Sequence, residues 1–117
     1  MSTKEVTFTK EQIAAYADAS GDRNPIHLDD GFARTVGLPG LIAHGMLQMG
    51  LMATVAAGAA GGPEKLRRLS CRFAGMVVPG DTVTFTAQPG GDGKLDLRAV
   101  NQRGEPVLTK SVAEYTP

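Results

Sequence analysis

Leu41-Ile42-Ala43-His44-Gly45-Met46-Leu47-Gln48-Met49-Gly50-Leu51-Met52-Ala53-Thr54-Val55-Ala56-Ala57-Gly58-Ala59-Ala60 is a run of twenty residues without a formal charge, and its reading decides the fold. The length matches a membrane span, because roughly 20 apolar residues in a helix cover a bilayer core. The composition argues against one. Six of the twenty are Ala and three are Gly, His44 and Gln48 lie inside, and the chain's mean hydropathy is −0.09. A helix apolar all round is otherwise one that its own protein covers on every side. Gly45, Gly50 and Gly58 would let strands pass close to it, and Gly61-Gly62-Pro63 ends it.

The start of this helix is informative through an absence. Leu38 to His44 contains no Ser, Thr, Asp or Asn to cap it, and the first N–H groups of a helix need acceptors. Either water or another loop satisfies them, or the donors near Gly45 and Met46 are free for a ligand oxygen. In the second case the helix dipole favours negative charge developing there, which is the physics of an oxyanion hole. His44 itself reads as structural.

Downstream, the pattern turns to alternation. Leu69, Cys71 and Phe73 fall on one face of a strand over Leu66–Val78, with Ser70 and Arg72 on the other. Val77-Val78-Pro79-Gly80-Asp81 is a turn, Val83, Phe85 and Ala87 point inward, and Gly90-Gly91-Asp92-Gly93 is a hairpin loop. Leu95, Leu97 and Ala99 point inward on the next strand, and Pro106–Tyr115 is a last strand whose inward face the pattern does not assign. Arg67, Arg68 and Arg72 read as a solvated basic face, with ligand phosphates the alternative. An apolar helix that needs cover, followed by a four-strand antiparallel meander with one apolar face, predicts an α+β fold in which the sheet wraps the helix. So small a sheet cannot enclose everything, so a dimer is expected.

Upstream lie a short strand at Val6-Thr7-Phe8 and a capping box, Thr9-Lys10-Glu11-Gln12, opening a helix to about Ala19 that Gly21 ends. Tyr16 on that helix reads as core. Then comes Ser20-Gly21-Asp22-Arg23-Asn24-Pro25-Ile26-His27-Leu28-Asp29-Asp30. Gly21 and Pro25 make it an ordered loop. It can turn Asp22 and His27 toward one another, as a general acid/base pair whose reference pKa values lie near 4 and 6.5. The plainer reading is a turn-capping Asp and a core histidine. Asp29 or Asp30 caps a short helix through Phe32, Ala33 and Val36, closed by Gly37. Asp22, His27, Asp29 and His44 are metal-ligand types without a recognised ligand spacing, so no metal is expected.

The 117 residues predict one domain over 1–117, with 12 basic and 12 acidic side chains and no basic tract for nucleic acid. Cys71 is the only cysteine, which excludes an internal disulfide and reads as an inert thiol. The charged start, Met1-Ser2-Thr3-Lys4-Glu5, lacks an apolar signal core, so a cytoplasmic chain, not bound to membranes, is expected.

Ser20-Gly21-Asp22-x-Asn24-Pro25-Ile26-His27-x-Asp29, with Gly37-Leu38, Ile42-Ala43-His44-Gly45-Met46 and Phe73-x-x-x-Val77-Val78-Pro79-Gly80-Asp81, closely resembles the MaoC-like hydratases. These are the R-specific enoyl-CoA hydratases (hydratase 2) and related 3-hydroxyacyl-thioester dehydratases. The resemblance implies a hot-dog fold, usually dimeric, and reversible addition of water to a trans-2-enoyl thioester to give the (R)-3-hydroxyacyl product. On it, Asp22 and His27 match the catalytic pair. Asn24 orients the water or the loop, and the N–H groups at Gly45 and Met46 bind the substrate carbonyl. It implies no cofactor, with CoA or acyl carrier protein as the substrate's handle. Two other classes stay open: a hot-dog acyl-thioesterase, or a non-catalytic acyl-binding partner subunit of a dehydratase heterodimer.

Overall fold

The computed structural model describes residues 2–117. In chain order its elements are β1 (Ser2–Thr7), α1 (Lys10–Ser20), a single 3-10 turn (Pro25–His27), α2 (Asp30–Thr35), α3 (Gly45–Ala60), a second 3-10 turn (Pro63–Lys65), β2 (Leu66–Phe73), β3 (Thr82–Pro89), β4 (Lys94–Val100) and β5 (Pro106–Tyr115). The five strands form one antiparallel sheet in the order β1-β3-β4-β5-β2. α3 lies against β1, β2, β3 and β4, so the expected helix wrapped by a sheet is present. No helix among the described residues is long and apolar enough to cross a membrane.

Local signals place the ends of the helices. Thr9 caps α1 by accepting Gln12 N–H at 3.0 Å, and Gly21 closes it in the left-handed conformation at φ 82°. Asp29 caps α2 through Phe32 N–H at 3.0 Å. Ahead of α3, residues 41–43 stay outside the helix, and their backbone donors are already committed. Leu41 N–H goes to Asp30 Oδ1, Ile42 N–H to the Ile26 carbonyl and Ala43 N–H to the Val77 carbonyl. Only from Gly45 onward is the backbone free to close helical bonds.

The core is the face of α3 bearing Met52, Val55, Ala56 and Ala60, packed with Val83, Phe85, Ala87, Leu95, Leu97 and Ala99 from β3 and β4. Those strand positions match the alternation in the sequence. Four expectations fail. The four later strands are not a simple meander: β2 pairs with β5 at the sheet edge, and residues 74–81 carry the chain over to β3. Ala74 and Gly75 both donate to the Val107 carbonyl, which holds this crossing against β5. Phe73 is exposed, because register shifts in β2 break its alternation. α3 is not covered all round: Met46, Gly50, Thr54 and Gly58, one turn apart, form an exposed row. And Gly50 meets no neighbour, whereas Gly45 and Gly58 do face strand side chains, Phe73 and Ser2.

On β5, Leu108 pairs with Ala99 but Ser111 pairs with Leu97, so two residues oppose one. Lys110 sits inside this bulge at φ 49°, and the extra residue flips the parity of the strand. Leu108 before it and Ser111 and Ala113 after it are all buried. Cys71 on β2 is half-buried, and burial pushes its thiol pKa up, which suits an unreactive side chain. Arg67, Arg68 and Arg72 are exposed, with Arg67 Nε donating to Thr116 Oγ1.

Candidate active site

The loop after α1 is shaped by its own short polar side chains. Asp22 N–H donates to Ser20 Oγ at 3.1 Å, Asn24 N–H to Asp22 Oδ1 at 3.3 Å and Ile26 N–H to Asn24 Oδ1 at 3.2 Å. Such side-chain turns replace a helical or strand ladder. Pro25 then opens the 3-10 turn that carries His27 inward. His27 is buried, while the Asp22 side chain is 55% exposed.

The His27 ring is oriented from the start of the α3 segment. Its Nδ1 lies 2.8 Å from the Ile42 carbonyl. A carbonyl only accepts, so Nδ1 carries the hydrogen and the uncharged ring keeps its lone pair on Nε2. Nε2 lies 3.8 Å from Asp22 Oδ2. That is too long for a direct hydrogen bond, yet a single water oxygen can lie within reach of both atoms. The structure thus brings the sequence-predicted pair together.

His44 completes the cluster. It is 2% exposed, its Nε2 lies 3.0 Å from the Asp22 carbonyl, and its ring stacks on His27 with centroids 3.7 Å apart and planes at 20°. Tyr16 meets the same ring edge-on at 4.8 Å. Ligand-type atoms of Asp22, His27 and His44 all fall within 4.8 Å of one another; Asp29 is not among them. With one nitrogen of each ring turned to a carbonyl, one nitrogen per ring and a carboxylate remain, donor types a divalent ion accepts. Acid–base work needs no ion.

α3 begins one residue beyond His44. His44 supplies no side-chain cap. Among the described residues no acceptor takes the N–H of Gly45, Met46 or Leu47; the first closed bond is Gln48 N–H to the His44 carbonyl at 3.3 Å. The positive end of a 16-residue helix therefore opens beside the pair. A Cβ on Gly45 would lie 3.1 Å from ring atoms of Phe73, so the ring sits directly on the first turn. Phe73 and Met46 stay more than half exposed, an apolar surface next to the open donors. Of the sequence-predicted residues, Asp22, His27 and the Gly45 and Met46 N–H groups gather here. The Asn24 carboxamide oxygen is engaged in the turn, so it orients the loop. Ser20 and His44, which hold Asp22, carry no sequence signal for that role.

Asp30 anchors the segment that leads to His44. Its Oδ1 accepts Leu41 N–H at 2.9 Å and its Oδ2 pairs with Lys10 Nζ at 3.0 Å. The Leu41 N–H bond, then Lys10, hold its pKa below the ordinary 3.8. A depressed folded-state pKa adds stability above the unfolded value, which is lost as pH falls through the folded one. Asp30→Asn is therefore expected to lower the thermal midpoint at neutral pH. The gap from wild type should close as pH falls below 3.8. A gap independent of pH would contradict this.

A family model described as MaoC like domain matches residues 1–111. The chain belongs to the MaoC-like family. This MaoC-like domain is 39% identical over 107 residues to 3-hydroxyacyl-thioester dehydratase X of Mycobacterium tuberculosis, covering 90% of this chain and 36% of the relative. It is 33% identical over 110 residues to the peroxisomal hydratase-dehydrogenase-epimerase of Neurospora crassa, covering 94% of this chain but 12% of that protein. Among solved structures, the (R)-hydratase from A. caviae involved in PHA biosynthesis superposes with a TM-score of 0.81 at 29% identity, covering 95% of this chain and 89% of that one. The MaoC-like domain thus spans only a minor part of these curated relatives and nearly all of that (R)-hydratase, and its helix-in-sheet architecture is the hot-dog fold of its neighbours.

Proposed function

We propose that the chain catalyses reversible hydration of trans-2-enoyl thioesters to (R)-3-hydroxyacyl thioesters. The observation that carries this reading is the spacing of Asp22 Oδ2 and His27 Nε2, 3.8 Å, beside an uncapped helix start. One water bridges the two groups. The thioester carbonyl accepts from the N–H groups at Gly45 and Met46, which stabilise the enolate oxygen that develops as water bonds to C3. One member of the pair takes a proton from the water and the other delivers one to C2, so the net change is addition of H2O across the double bond. The acyl chain lies over the exposed Phe73 and Met46 surface. The thioester is its own electron sink, so no cofactor is required, and CoA or acyl carrier protein is the handle.

Relatives named hydratase and 3-hydroxyacyl-thioester dehydratase support the reaction class. A homodimer would cover the free outer edge of β2 and the exposed row on α3. A cytoplasmic location completes the reading; several relatives are named peroxisomal.

The test is purified protein with crotonyl-CoA, following the enoyl absorbance alongside a thiol reagent. The expected result is loss of absorbance without free thiol. Thiol release would instead make the chain a thioesterase, and binding without turnover would make it a partner subunit.

A further inference from the structure

We propose that His44 is the positioning residue of this site: with its proton on Nε2, it ties the Asp22 main chain to the start of α3 and fixes the plane of the His27 ring. The kinetic part rests on the acid–base reading above; the tautomer does not.

Three contacts carry the inference. Nε2 meets the Asp22 carbonyl at 3.0 Å across 22 residues of chain. An acceptor-only partner places the hydrogen on Nε2. The ring face lies on His27 at 3.7 Å and 20°. The residue's own carbonyl accepts Gln48 N–H, so its backbone is already part of α3. One side chain therefore joins the loop with the carboxylate, the ring with the free nitrogen, and the helix with the open donors.

The need for such a tie is visible in Asp22. Its other bonds, to Ser20 Oγ and Asn24 N–H, stay within its own loop, and its side chain is 55% exposed. These turn bonds shape the loop, but none of them reaches the His27 ring or the start of α3. His44 reaches in from another element and makes that link.

The unpaired atom points the same way. His44 Nδ1 is buried with no hydrogen-bond partner among the described residues, and the residue is 2% exposed. A buried polar atom without a partner opposes folding, and an apolar side chain would fill the space without that cost. Retaining an imidazole there is explained by what its other nitrogen holds. The two stacked rings then carry opposite tautomers, Nδ1–H on His27 and Nε2–H on His44, each set by a main-chain carbonyl.

Two variants separate the tie from mere packing. His44→Phe keeps the stack, with a somewhat larger ring, but loses the donor; His44→Gln gives up the stack but keeps an N–H at similar reach. The expected result is a kcat about 10- to 100-fold lower in His44→Phe, with KM within about threefold, since displacing a reacting group by ~1 Å costs on that order. His44→Gln is expected to recover much of the loss. A packing role predicts the reverse order, Phe near wild type and Gln worse, and that order would overturn the proposal.

Nitrogen-15 NMR reads the tautomers without turnover, on a chain with two histidines. His27→Gln leaves one set of imidazole signals, expected to show Nε2–H for the uncharged His44 ring. Nδ1–H, or an average of both forms, would refute the tie. If wild type hydrates no enoyl thioester, the acid–base reading fails while the tautomer pattern still decides this proposal.

Discussion

Asp22→Asn and His27→Gln are each expected to lower kcat for crotonyl-CoA hydration by about 10²- to 10⁴-fold, the range a positioned proton-transfer group contributes. Both changes are close in shape and confined to the loop. Asn at position 22 keeps an oxygen for Asn24 N–H, which Asp22 Oδ1 accepts at 3.3 Å, so the turn survives. It removes the carboxylate that faces His27 Nε2. Gln at position 27 can still donate toward the Ile42 carbonyl, the bond that seats His27 at 2.8 Å, but it has no titratable nitrogen to present to water. The proposed grip on the thioester oxygen lies elsewhere, at the first turn of α3, so KM is expected to change by much less than kcat. Steady-state kinetics with unfolding curves for each variant are the check. Either variant retaining more than half of wild-type kcat would remove that residue from the chemistry.

Phe85→Ala is expected to cost about 3–5 kcal/mol of stability. Phe85 is fully buried on the middle of β3, opposite Ala99 of β4, within the cluster that faces α3. Its neighbours in that cluster include small residues, Ala56, Ala87 and Ala99, which have no spare side chain to collapse into a void. Deleting the ring therefore loses both the transfer free energy and the packing around it. Folded domains are stable by only about 5–15 kcal/mol, so the variant stands near its threshold at room temperature. Urea denaturation measures this directly. A loss below about 1 kcal/mol would mean that the helix and sheet do not share this core.

The sequence made local structure legible wherever one residue sets one conformation. Thr9 with Gln12, Gly21 and Gly61 mark helix ends, and β3 and β4 alternate cleanly because they pair with each other without a register break. What it did not show depends on partners distant in the chain. The pairing of β2 with β5 is invisible locally, and the bulge at Lys110, a non-glycine residue at positive φ, hides the parity of β5. Phe73 shares the alternating face of Leu69 and Cys71 in a strand whose register slips, yet it stands exposed against the first turn of α3. The loop pair was legible because its turn residues are contiguous from Ser20 to Asp30. The reach of His44 back to Asp22 was not, since nothing in a buried histidine's surroundings in sequence names the carbonyl it will hold.

The central claim is that Asp22 and His27 act on one water as a unit. The double variant Asp22→Asn/His27→Gln tests it in a mutant cycle of kcat for crotonyl-CoA hydration. Groups that serve a single step are strongly non-additive, so the double variant should be no slower than the worse single one, to within about threefold. A double variant slower by the product of the two single losses would show two groups working independently and contradict the shared water.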